Sequence, residues 1–299
     1  MKSRRLASFG ILFMLCGYIH AQDYAFKVLV NKGRNELKSG NNWQQLKVGS
    51  SLKSADELKI SENSYLGLVH VSGKALELKQ SGNYKVGDLS AKVNGGSNVL
   101  NKYTDFILSS ATSPKDRLAA TGAVDRGKDN IQVYLPKPEL AVVYNDEVII
   151  QWDAQIAPAP YLVTFRSMFD DDLDKLETNE NRVAVNLNSK NFANEDNIIV
   201  EVASTADKNK ISNRYTLKKL SKADKARIKT ELEKISVTTA EPNALNKLLI
   251  AAFYEQNNLL IDAGTAYLEA IQLAPDVPQY KEDYDAFLLR NAMKKAPTK

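Results

Sequence analysis

The sequence predicts a multidomain chain, all-β through its first two thirds and all-α at its end. Three observations carry this. Apolar residues alternate with period two in many short runs between residues 26 and 217. Gly, Asn and Pro corners separate those runs, and after Ser221 the apolar period lengthens to that of a helix. The 299 residues are 43% hydrophobic and 25% charged, a globular composition with apolar material for two or three small cores. The divisions that follow are a signal peptide at 1–21, a β domain at 22–90, a connector with one helix at 91–130, a second β domain at 131–220 and a helical domain at 221–299.

The opening reads as a secretory signal. Lys2, Arg4 and Arg5 supply its charged start, Leu6 to Tyr18 its apolar run, and Ala21 the small residue before cleavage. A retained span would need about 20 apolar residues, and this run ends at His20. The expected address of the mature chain is periplasmic or secreted. Cys16 is the single cysteine and lies within the signal, so the mature chain would hold neither a disulfide nor a thiolate nucleophile. Phe13, Met14 and Leu15 before it depart from a lipoprotein processing pattern. Removing 1–21 takes three of the 40 basic residues, leaving 37 against 36 acidic ones, so no strong electrostatic drive towards nucleic acid is expected.

In the first β domain Phe26, Val28 and Val30 are expected on one strand face. Leu58 with Ile60, Leu66 with Leu68 and His70, and Leu76 with Leu78 repeat the alternation between the corners Lys32-Gly33, Ser72-Gly73-Lys74 and Ser81-Gly82-Asn83. Short strands with such corners argue for a small barrel or sandwich. The order of residues resembles the FecR domain family: an opening strand into Lys32-Gly33, then Trp43, Leu46-Lys47-Val48-Gly49, Ala55-Asp56-Glu57-Leu58, Ser64-Tyr65-Leu66-Gly67-Leu68 and the Ser72-Gly73-Lys74 hairpin. The resemblance implies an extracytoplasmic β module of the bacterial cell envelope, here without the transmembrane helix of the family's regulators. Trp43 is expected to plug the small core, the alternative being an exposed ring that stacks on glycan. His70, the one histidine left after signal removal, is expected as a satisfied core or rim residue on its strand rather than part of a triad or zinc site.

Val99, Tyr103, Phe106 and Ile107 have helical spacing within 97–110 and predict the connector's helix. Pro136 and Pro138 mark the next boundary because neither can donate to a strand ladder. Alternation returns at Val148, Ile150 and Trp152, then at Tyr161, Val163 and Phe165, Val183 and Val185, Ile198, Val200 and Val202, and Tyr215 and Leu217. The run Val148-Ile149-Ile150-Gln151-Trp152 resembles the second strand of a fibronectin type III or immunoglobulin-like sandwich. Asp170, Asp171, Asp172 and Asp174 invite a calcium reading, but Lys175 stands where an EF-hand needs Gly, so a solvated acidic loop is expected.

Ser221 with Asp224 opens the helical part, and Ile228, Leu232 and Ile235 form one stripe. Residues 244 to 277 resemble one tetratricopeptide repeat: Tyr254 late in the first helix, the Asn257-Asn258 turn, then Ala263, Tyr267, Ala270, Leu273 and Pro275. Lys247 and Ile250-Ala251 replace the usual Trp and Leu-Gly. Tyr280, Tyr284, Phe287 and Leu288 continue as a capping helix. Such repeats bind proteins along their first helices, so envelope protein partners at the C-terminal helices are what the resemblance implies, with cell-wall glycan as a further possibility. No motif points to catalytic, cofactor-binding or metal-binding residues, and no cofactor is expected. The expected function is a non-catalytic protein of interaction or assembly, the alternative a glycan- or peptidoglycan-binding protein.

Overall fold

A computed structural model describes residues 24–93, 100–112, 130–235 and 243–295. The expected signal at 1–21 lies outside the described residues, as does Val99 of the expected connector helix. A β-rich region comes first, built from sheets of mostly antiparallel strands, and a region of four helices follows it.

The first β region comprises β1 (Phe26–Lys32), β2 (Asn35–Ser39), β3 (Asn42–Gln45), β4 (Ser51–Leu52), β5 (Glu57–Ile60), β6 (Tyr65–His70), β7 (Ala75–Leu78) and β8 (Gly82–Lys85), with α1 (Val86–Lys92) after it. Two sheets, ordered β4-β1-β6-β7 and β3-β2-β5-β8, enclose Phe26, Val28, Leu52, Leu58, Leu66 and Leu68. β6 serves two cores because side chains alternate across a strand: Leu66 and Leu68 point inward, while Tyr65 and Val69 join an outer core with the helices. β1 does the same with a correction to the expected pattern. Val28 pairs with Leu68 but Val30 pairs with Gly67, so one extra residue reverses the alternation. Val30 therefore leaves the face of Phe26 and Val28 and joins Leu29 in the outer core. Opposite it, a Cβ on Gly67 would lie 3.1 Å from Val30 Cβ and 3.3 Å from Leu245 Cδ1, so the missing side chain is what lets a helix close on this sheet.

The second β region comprises β9 (Val142–Val143), β10 (Glu147–Gln151), β11 (Tyr161–Arg166), β12 (Asp172–Thr178), β13 (Arg182–Asn186), β14 (Asn197–Ser204) and β15 (Tyr215–Lys219). A five-stranded sheet ordered β12-β11-β14-β15-β9 faces the β10-β13 pair. All its pairings are antiparallel except β15 with β9. The alternating residues read from the sequence fill the space between: Val148, Ile150, Val163, Phe165, Val200 and Val202 are buried, and Trp152 stands edge-on to Tyr161 with centroids 5.2 Å apart.

The connector helix α2 (Leu100–Thr112) precedes the second β region in sequence but packs on the helices that end the chain. Those are α3 (Lys222–Ile235), α4 (Ala244–Gln256), α5 (Leu260–Leu273) and α6 (Pro278–Arg290). Asn243 caps α4 by accepting the Asn246 amide at 2.7 Å. Ala263 and Ala270 on α5 are fully buried, which allows the close approach of α4 and α5. Arg290 at the end of α6 forms a two-pronged pair with buried Glu255, which also accepts from Asn291.

The helical block is wedged between the two β regions. Against the first, Tyr65 and Tyr280 share a hydroxyl hydrogen bond of 2.6 Å, and the Gln279 amide donates to Leu29 C=O at 2.7 Å and accepts from Asn31 N–H at 3.3 Å. Gln279 thereby serves the backbone groups that the bulge frees. Against the second, Thr265 Oγ1 accepts the Ile149 amide at 2.9 Å and covers the edge of β10. Leu29, Tyr65, Tyr103, Leu248, Phe253 and Tyr280 belong to one continuous core, with Tyr144 and Ile149 packed against it.

Candidate functional site

Trp43, His70 and the aspartates at 170–174 each have a definite place. Trp43 does not plug the core: it lies on the edge strand β3 and is 43% exposed, with Lys38 Nζ 5.7 Å from its ring centroid. The core position is filled instead by Leu37, Leu58 and Leu46, because Trp43 falls on the solvent side of the β2–β3 pairing opposite Lys38.

His70 is half-buried at the end of β6. Its Nδ1 lies 3.1 Å from the Ser72 amide, which donates to it, and 2.7 Å from Ser72 Oγ; its Nε2 lies 2.8 Å from Ser90 Oγ. The Ser72 amide requires the lone pair on Nδ1, so the proton sits on Nε2 and points at Ser90. In that tautomer Nε2 has no lone pair with which to take the Ser90 proton. Burial pushes the imidazole below its ordinary pKa, and the ring packs edge-on to Phe26 with centroids 4.9 Å apart.

The aspartates of the β11–β12 turn are taken up by neighbouring side chains, Arg166 lying near both Asp170 and Asp172. Asp170 meets Arg214 at 3.1 Å, Asp172 meets Arg166 at 3.1 Å and Lys175, and Asp171 accepts from Ser167 Oγ at 3.1 Å. The Lys175 hydrogen bond, aided by Arg166, holds Asp172 below the usual carboxylate range. Among the described residues no three His, Cys, Asp or Glu side chains gather where they could hold a metal ion.

A cleft of about 860 Å³ opens between α3, the α4–α5 pair and the turn from β9 to β10. Its construction starts at Asp262, in the first turn of α5 and fully buried. The carboxylate accepts the Tyr144 amide at 2.9 Å and the Asn145 amide at 2.7 Å, which fixes the β9–β10 turn against the helix. Burial pushes this carboxyl up to about 6 despite those donors. The Asn145 side chain donates to Tyr254 Oη at 3.1 Å, and Tyr144 leans on the Tyr254 ring with centroids 6.0 Å apart. These contacts set one wall.

Leu232 of α3, Ile250 of α4 and Ala266 of α5 give the cleft an apolar floor. Asp146, Glu147, Glu233 and Glu269 line it alongside Lys229 and Lys247. Lys247 meets Glu269 at 2.6 Å, Lys225 meets Asp146 at 2.9 Å and Lys229 meets Glu233 at 4.0 Å, so the charges of the rim are largely paired with one another. Such a cleft can seat apolar side chains of a chain segment while its rim of paired charges meets polar groups.

The fold limits how much of the repeat-like helices is open. Most of the first repeat-like helix, α4, is covered from within: Leu245, Leu248, Leu249, Ala252 and Phe253 are buried in the shared core. Only its Lys247, Ile250 and Tyr254 side reaches the cleft. The β9–β10 turn completes the site, which the helical pattern alone did not signal. Asp262 was readable as a helix first-turn acid; its partners in the turn were not. Among the described residues no helix is long and apolar enough to cross a membrane. No protein-family model matches the chain, and no curated protein matches it in sequence.

Proposed function

We propose that this chain is a non-catalytic, exported protein of the bacterial cell envelope that mediates protein–protein interaction or assembly. In this reading a FecR-like domain, an immunoglobulin-like or fibronectin-like domain and a degenerate tetratricopeptide repeat make up the mature chain, which begins after Ala21. The observation that carries the reading is the cleft between α3, α4, α5 and the β9–β10 turn, apolar at Leu232 and Ile250 and ringed by charged side chains. It is supported by the repeat-like order of Tyr254, Ala263, Tyr267 and Ala270, and by the charged and apolar pattern of the first 21 residues. A photocrosslinking residue at position 232 of the full chain, in producing cells, is expected to trap a defined envelope protein. Glu233→Lys is expected to weaken that product, and no product above a control at Lys190 counts against the reading. Amino-terminal sequencing of the envelope fraction tests export, with Gln22 as the expected first residue.

A second reading has its own observation. The exposed Trp43, on an edge strand whose four residues are all exposed, offers a flat ring and amide side chains to a glycan. Sedimentation with purified cell wall, lost on Trp43→Ala, supports this reading; sedimentation unchanged by the substitution removes the stacking role.

A further inference from the structure

We propose that the Asp283 carboxyl is a proton-operated latch for α2: neutral, it accepts that helix docked over it, and ionised, it favours the helix lifting away from the helical block.

Asp283 lies on α6 where that helix faces α2. It shares a narrow gap of about 10 Å³ with Phe106, Ile107 and Ser110 of α2, Leu248 of α4, Tyr267 of α5 and Arg290 of α6. A gap of that size holds one water at most. Asp283 Oδ2 is shielded from solvent and, among the described residues, has no hydrogen-bond partner. An ionised oxygen there has lost its hydration without gaining a donor, which favours the neutral acid.

The charges around it do not offset this. Arg290 pulls towards the ionised form, but its guanidinium is engaged by Glu255 of α4 through two hydrogen bonds. Glu282 pushes the other way, and Gln279, which bonds the carboxyl, also donates to Leu29 C=O. Tyr267 stays neutral because burial pushes its hydroxyl well above the ordinary value, and the Tyr280 hydroxyl is taken by Tyr65. Leu248 is what α4 brings to the gap, and α2 brings no titratable group: its Asp105 meets Lys27 at 2.8 Å. Burial therefore outweighs Arg290 and holds the Asp283 carboxyl up at about 7, against an ordinary 3.8.

α2 is the wall that can move. α4, α5 and α6 follow one another through short turns and hold each other, whereas α2 comes from before the second β region. It rests on buried Tyr103 and Ile107 and on part of Phe106. Tyr103 stands edge-on to Phe253 with centroids 5.7 Å apart, and the Arg290 guanidinium lies 5.7 Å from the Phe106 ring. An element with few buried anchors opens before the rest of the fold. Its departure returns Asp283 to water and bares Leu248 and Phe253, on a different side of α4 from the Lys247, Ile250 and Tyr254 side that reaches the cleft.

Docking raises the proton affinity of Asp283, so its contribution to docking is complete below about pH 4 and is lost as pH rises to about 7. Across that window docking weakens about tenfold per pH unit, and above it docking stays at its weakest. Hydrogen exchange of the full-length chain, followed by mass spectrometry at about pH 5.5 and about pH 8 with times scaled for the intrinsic exchange rate, tests this. Protection of the α2 amides from Tyr103 to Ser110, taken relative to β14, is expected to be about thirtyfold higher at the lower pH. The β14 reference removes any opening of the whole fold, including that tied to Asp262. Asp283→Asn keeps the size of the side chain and is neutral throughout; it is expected to hold α2 equally at both pH values, with β14 protected as in wild type. A wild-type α2 whose protection does not rise on acidification, or rises only in step with β14, overturns the proposal. So does an Asp283→Asn chain that keeps the wild-type pH ratio.

Discussion

Replacing Asp262 with alanine removes the carboxylate that joins α5 to the β9–β10 turn, and its effect depends on pH with an unusual sign. The folded chain holds the Asp262 proton up to about pH 6, against an ordinary 3.8, because burial outweighs the pull of the Tyr144 and Asn145 donors. A group whose folded affinity for protons is raised contributes stability that is fully present below the unfolded pKa and is lost as pH rises through the folded one. For a rise from 3.8 to about 6 the full contribution is about 3 kcal/mol, of which about 1.4 kcal/mol accrues between about pH 8 and about pH 5. The alanine variant orphans two amides at about 1–3 kcal/mol each at every pH, while relieving the burial of a charge worth about 3 kcal/mol at high pH. The net loss is therefore about 1 kcal/mol at about pH 8 and opens to about 2.5 kcal/mol at about pH 5. Urea unfolding of both chains at the two pH values, followed by tryptophan fluorescence and far-UV circular dichroism, measures the gap. A gap that stays constant, or that narrows on acidification, refutes the reasoning.

Gly67→Val places side-chain atoms where a bare Cβ already lies 3.1 Å from Val30 Cβ, and is expected to lower stability by about 1–3 kcal/mol through overpacking, read from the melting temperature. Leu248→Ala empties a fully buried site in the shared core and is expected to cost about 3–5 kcal/mol. Near-UV and far-UV signals should still fall together in that variant; two separated transitions would show that the β regions and helices unfold independently. Thr265→Val leaves the Ile149 amide without its acceptor, at about 1–3 kcal/mol by urea titration. His70 is favoured neutral in the fold, so the stability it supports is present above its ordinary 6.5 and is lost as pH falls below it; His70→Gln should flatten this part of the acid limb of a stability–pH curve.

Much of the local structure was legible in the sequence because it rests on short-range periodicity. Val148, Ile150 and Trp152 alternate and are buried together, and the helical stripe of Tyr103 and Ile107 became the docked face of α2. What escaped was set by long-range packing. The bulge after Val28 has no composition signal, since Leu29 and Val30 are both apolar and suit either face; only the register with Gly67 decides. Trp43 was assigned to a core on residue type, and its pairing opposite Lys38 turned it outward. The cleft was half legible: Ile250 and Tyr254 lay in a recognised helix, but the Asp262 bridge to Tyr144 and Asn145 spans more than a hundred residues.

Gln279 and Tyr280 finish a surface that is synthesised long before them. Tyr65 meets Tyr280 across 215 positions, and Leu29 meets Gln279 across 250. At roughly 5–20 residues per second, the ribosome needs roughly 10–50 s to cover those spans. For that interval α2 and then α4 can cover part of the outer stripe of Leu29, Val30, Tyr65 and Val69, but the Tyr65 hydroxyl and the Leu29 carbonyl lack their α6 partners. A message cut short before α6 leaves that face unfinished for the lifetime of the product.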